Sequence, residues 1–82
     1  MNYRVEFSKD AEKSLKKMDK QQQIILMAWI KKNLVDCTNP RYLGKPLTGN
    51  RKGYWRYRVG MYRIISNIED EMLRINIIKF GH

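Results

Sequence analysis

Ten consecutive residues, 54–63, constrain the fold of this chain more than any others: Tyr-Trp-Arg-Tyr-Arg-Val-Gly-Met-Tyr-Arg, with four aromatic side chains and three arginines. Apolar and basic residues alternate from Trp55 to Val59, the period of a half-buried β-strand. Trp55, Tyr57 and Val59 therefore share one face, and Tyr54, Arg56 and Arg58 the other. Gly60-Met61 separates this run from a second strand-like run that begins at Tyr62. A two-residue connection with glycine first suits a type II′ turn, whose twist matches that of paired antiparallel strands. Counting outward from the turn sets Val59 opposite Tyr62, Arg58 opposite Arg63, Tyr57 opposite Ile64 and Arg56 opposite Ile65. The hairpin then has one apolar face and one on which Arg56, Arg58 and Arg63 converge.

A chain of 82 residues makes one small domain, 1–82, and buries only about 60–65% of the surface its unfolded form exposes. Its 17 Lys and Arg against 8 Asp and Glu give a formal net charge of +9, which points to a polyanion or an acidic protein as partner. Cys37 stands alone and cannot form an internal disulfide. With His82 as the single histidine no zinc spacing can be assembled, so no metal and no cofactor is expected. The amino terminus lacks the apolar block of a secretory signal, and no segment approaches the about 20 apolar residues of a membrane span. A reducing cytoplasm, with no membrane partner, is the expected setting.

Residues 2–7 alternate, with Tyr3, Val5 and Phe7 on one face, and predict a short first strand. Ser8 is positioned to cap a helix carrying Ala11, Leu15 and Met18 on its apolar face and Lys9, Lys13, Lys16 and Lys17 on a solvated one. Asp19 and Gln22 stand in the relation of a capping box ahead of a second helix. That helix, with Ile24, Ile25, Met27, Ala28, Trp29, Ile30, Leu34 and Val35, is apolar over more than one stripe, so it packs on both sheet and neighbour or offers a flank to a partner. Its Met and Trp content reads as core. Residues 36–53, rich in Pro, Gly and Asn, predict a long loop anchored by Leu43 and Leu47 and carrying Arg41, Lys45, Arg51 and Lys52. After the hairpin come an acidic turn, Glu69-Asp70-Glu71, and a last strand over 72–80, in which Ile75, Ile77 and Ile78 suggest burial on both faces. The element order is β-α-α-β-β-β, an α+β fold.

The chain has no paired carboxylates at converging strand positions, no Ser-His-Asp set and no phosphate-binding glycine loop. What remains is the arginine trio. Guanidinium is planar, permanently charged and able to bond phosphate oxygens in pairs, so the trio suits phosphate and the charge of a pentavalent phosphorane. It is a poor general base. The plain alternative is an exposed charged sheet face, paired with Glu6 or with an acidic peptide.

The loop Asn-Pro-Arg-Tyr-Leu-Gly-Lys-Pro-Leu-Thr-Gly-Asn-Arg-Lys-Gly, the hairpin through Ile65 and the ending Ile-Ile-Lys-Phe-Gly-His resemble the RelE branch of the RelE/ParE bacterial toxins over essentially the whole chain. The resemblance implies a curved, mainly antiparallel four-stranded sheet packed against a two-helix hairpin. It also implies a type II toxin that enters the ribosomal A site and cuts mRNA there, its 2′-hydroxyl attacking to leave a 2′,3′-cyclic phosphate. Carried over by position, Arg56 and Arg58 contact phosphate and assist proton transfer, and Arg63 stabilises the transition state. Lys45, Arg51, Lys52 and His82 are implied as RNA contacts, and the general base stays unassigned. Implied partners are the ribosome with its mRNA and an acidic RelB-like antitoxin, whose complex with the toxin binds operator DNA.

The family continues past the Gly-His pair with basic residues and a tyrosine, whereas this chain ends at His82, so a shortened polypeptide with weakened or absent activity is expected. Two other readings stay open: a ParE-like inhibitor of DNA gyrase without nuclease chemistry, and a catalytically silent antitoxin-binding co-repressor.

Overall fold

The computed structural model describes residues 1–47 and 53–82. The order is β1 (Arg4–Phe7), α1 (Lys9–Lys17), α2 (Lys20–Asn33), β2 (Lys45–Pro46), β3 (Tyr54–Val59), β4 (Tyr62–Glu69), a 3-10 turn (Asp70–Met72) and β5 (Arg74–Gly81). The strands form one sheet in the order β1-β5-β4-β3-β2, with β1 parallel to β5 and the other neighbours antiparallel. This is the expected α+β architecture with one addition. The loop after α2 contributes a two-residue edge strand, so the sheet has five strands rather than four.

Local chemistry sets the helix boundaries. The Ser8 hydroxyl accepts from the Ala11 N–H at 3.0 Å and donates to the Ile78 carbonyl at 3.0 Å, so one side chain caps α1 and ties its start to β5. Asp19 caps α2 by accepting from the Gln22 N–H at 2.8 Å. The side chain that reaches back is Gln23, donating to the Met18 carbonyl at 2.9 Å, and not the Gln22 of the expected capping box. No helix among the described residues is long and apolar enough to cross a membrane.

Both helices contribute to one core on the sheet face formed by Tyr57, Val59, Ile64, Ile68, Ile75, Ile77 and Phe80, which meets Ala11, Leu26, Ile30 and Leu34. The hairpin register is the expected one, Val59 opposite Tyr62 through Arg56 opposite Ile65. Gly60 has φ +60° while Met61 stays out of the left-handed region, the signature of a type II′ turn. The last strand starts later than expected, at Arg74, because Leu73 turns left-handed (φ +49°) after the 3-10 turn. Its adjacent Ile77 and Ile78 mark a β-bulge and not two buried faces. Ser66 pairs with Ile77 and Ile65 with Lys79, so Ile78 is the extra residue that returns Phe80 to the buried side.

Candidate functional site

The sheet face away from the helices is built by the residues between those core positions. Across its hairpin end, Lys45 stands opposite Arg56, Arg56 opposite Ile65 and Ile65 opposite Lys79. In the next row Arg58 stands opposite Arg63, which is opposite Gly81. Like charges placed directly across two strands are destabilising unless something neutralises them. Among the described residues no carboxylate does so. Glu6, the partner offered by the alternative reading, bonds Arg4 at 2.8 Å and Arg74 at 3.4 Å instead, and Glu69 bonds Arg74 at 2.7 Å. The open face is therefore divided into an end of closed ion pairs and an end of cations facing no carboxylate.

Beside the arginines lies a cleft of about 410 Å³ lined by Trp29, Leu43, Gly44, Lys45, Arg56, Arg58 and Arg63. It lies beside the short edge strand β2, which covers only Trp55 and Arg56 of β3 and is entered through Gly44. Its lining combines cations with a half-buried indole and a leucine.

The loop that borders the cleft is held by bonds between residues distant in sequence. Tyr57 donates its hydroxyl to the Pro40 carbonyl at 2.5 Å, and Trp55 donates its indole N–H to the Leu43 carbonyl at 2.6 Å. Arg41 bonds both oxygens of Asp70, at 3.0 and 2.9 Å, with its guanidinium 6.0 Å from the Trp55 ring centre. Tyr3 donates to the same carboxylate at 2.6 Å. Arg41, then Tyr3, holds the Asp70 carboxyl below its usual range, and the bond to Asp70 pushes the Tyr3 phenol up. Burial raises the Tyr57 phenol, so it stays a neutral donor to the loop. The expected anchor Leu43 is 38% exposed, and its backbone carbonyl rather than its side chain does the anchoring.

The family model described as ParE toxin of type II toxin-antitoxin system, parDE, matches residues 5–82. The chain belongs to this toxin family. The RelE/ParE resemblance of the hairpin is thereby shown, and structure comparison shows the RelE-like fold of the toxin. The RelBE2 toxin-antitoxin complex from Mycobacterium tuberculosis matches with a TM-score of 0.87 at 27% identity over 100% of this chain and 92% of that one. The isolated RelE toxin of E. coli matches with a TM-score of 0.78 at 21% identity, covering 96% and 82%. The archaeal RelE-RelB complex from Pyrococcus horikoshii matches at 0.73 with 23% identity, covering 99% and 94%. A search of curated protein sequences finds no match to the chain.

In the toxin's structure four of the sequence candidates, Lys45, Arg56, Arg58 and Arg63, come together at the cleft. His82 does not line it; its ring sits edge-on to Tyr62 at 5.0 Å. Arg51 and Lys52 lie outside the described residues. Two contributors escaped sequence reasoning. Lys79 joins the Lys45-Arg56 row because the bulge changes the register of β5, and the adjacent isoleucines were the available signal. Trp29 reads as core from its helical neighbours, yet it lines the cleft while packing on Tyr57 at 5.6 Å.

Proposed function

We propose that this type II toxin cuts mRNA in the ribosomal A site by in-line attack of a 2′-hydroxyl. The observation that carries this reading is the direct opposition of Arg58 and Arg63, with Arg56 and Lys45 alongside and no carboxylate among the described residues to neutralise them. In this step the 2′-oxygen bonds to phosphorus as the bond to the 5′-oxygen breaks. The hydroxyl proton leaves, a proton reaches the departing 5′-oxygen, and a 2′,3′-cyclic phosphate and a 5′-hydroxyl result. Arg56 and Arg58 hold the phosphate and assist the proton's passage, and Arg63 faces the charge that builds on the phosphorane. Permanently protonated arginines supply charge and position; the proton acceptor is a different group.

An acidic, RelB-like antitoxin fits a chain of net charge +9, and relatives of the same fold have been crystallised with RelB-type antitoxins. Its complex with the toxin would bind operator DNA, and the toxin would act in the cytoplasm, where ribosomes are.

The test is cleavage of mRNA on programmed ribosomes by the chain and by Arg58→Ala and Arg63→Ala, with 5′ ends mapped. Each variant is expected to lose about 100-fold in rate. Unchanged rates would remove the assigned site. The ParE family match favours a second reading, inhibition of DNA gyrase by binding. Loss of supercoiling activity without translation arrest would establish that reading instead.

A further inference from the structure

A site that only held phosphate would need charge and little else, yet Trp29 and Leu43 line the cleft along with the arginines. Trp29 comes from the C-terminal half of α2 and Leu43 from the loop, and both line the cleft together with Gly44, whose backbone packs directly against β3. Trp29 is half-buried. It meets Tyr57 at an interplanar angle of 54°, and it lines the same cleft as Arg56, Arg58 and Arg63. The cleft's volume, about 410 Å³, falls in the roughly 300–1,000 Å³ range of small-ligand pockets.

An aromatic surface sharing a cleft with phosphate-binding cations suits single-stranded nucleic acid, because every base offers a flat π-face to stack and every nucleotide a phosphate. We propose that Trp29, with Leu43, forms the base-holding wall of the site. It receives the nucleobase of the nucleotide whose phosphate lies on Arg56, Arg58 and Arg63. This rests on the RNA-cleaving reading and adds to it the residue that positions the reacting nucleotide. A base held on Trp29 limits the rotation of its ribose, so the 2′-hydroxyl and the phosphorus are presented together instead of being found by chance. The recognition is through shape and stacking, so it asks for a base more than for a particular base.

The experiment uses ribosomes programmed with two mRNAs that differ at the nucleotide 5′ to the cut, one bearing its base and one abasic. The intact chain is expected to cut the base-bearing mRNA at least about tenfold faster. Trp29→Leu should slow the base-bearing mRNA to the abasic rate and leave the abasic rate unchanged, while Arg63→Ala should slow both. Trp29→Phe, which keeps a smaller aromatic face, should give a ratio between the two. A Trp29→Leu rate equal to wild type, or a loss equal on both mRNAs, overturns the proposal. Should Trp29→Leu fail to give a folded circular dichroism spectrum, the Trp29→Phe ratio decides, and an unchanged ratio overturns it. Absence of cutting by the intact chain would instead overturn the RNA-cleaving reading, and this proposal with it.

Discussion

Gly44 has φ +80°, and a Cβ at this position would overlap the Arg56 carbonyl oxygen and lie 2.7 Å from the Trp55 indole nitrogen. Both the backbone conformation and the space demand glycine here. Gly44→Ala is therefore expected to cost about 2 kcal/mol or more in urea unfolding and to detach Lys45 from Arg56. A second residue gives a pH dependence. Asp70 has its folded pKa depressed by Arg41 and Tyr3, so its contribution is fully present above the ordinary value of 3.8 and is lost as pH falls through the lower folded value. With more than half of its side chain open to solvent, that contribution is small, about 1 kcal/mol. Urea unfolding followed between neutral and acid pH should show wild type losing this amount on acidification. Asp70→Asn should start lower at neutral pH and lack that part of the acid slope.

At the scale of elements, the helices and the hairpin do separable jobs. Asp19 satisfies a backbone donor at the start of α2, far from the cleft, whereas Gly60 sets the register that brings Arg58 opposite Arg63. Asp19→Ala should lower stability by about 1 kcal/mol and leave mRNA cleavage unchanged. Gly60→Ala meets no steric obstacle within 4 Å, so its effect is conformational, about 1–2 kcal/mol from placing an L-residue at φ +60°. It should also slow cleavage, because relaxing the turn displaces the arginine pair. Paired thermal melts and cleavage assays on the two variants distinguish the roles. The outer side of α2 keeps Ile24 62% exposed, so the broad apolar pattern of that helix is only partly used by the core of this chain.

For the whole molecule, the net charge of +9 is distributed unequally in its consequences. Lys9, Lys13, Lys16 and Lys17 are exposed on or beside the outer side of α1, while Glu6, Glu69 and Asp70 are occupied by Arg4, Arg74 and Arg41. The cleft cations are left to attract an anion. Binding of single-stranded RNA should weaken steeply with salt, the logarithmic slope changing by about 0.7 for each phosphate contact removed. Arg58→Ala is expected to reduce that slope by one such step, and Lys13→Ala to leave it unchanged, as measured by fluorescence anisotropy across a salt series.

The local features of the fold were legible in the sequence because they depend on neighbours in the chain. Alternation from Trp55 to Val59 and the glycine at 60 determined the hairpin and the opposition of Arg58 and Arg63. Ser8 and Asp19 determined where the helices begin. The loop, the bulge and the apolar lining of the site were decided by contacts across long separations. Tyr57 to Pro40, Trp55 to Leu43 and Arg41 to Asp70 fold the loop against the sheet, which turns Lys45 and Pro46 into a fifth strand that no periodicity of two residues can announce. The bulge between Ile77 and Lys79 aligns Lys79 with Arg56, and Glu6 is drawn to Arg74 because β1 and β5 are parallel neighbours. The sequence by itself determined the cationic half of the cleft, since strand alternation places charge on one face. Only the tertiary structure decided its apolar half, because Trp29 reaches the cleft through the packing of α2 on Tyr57.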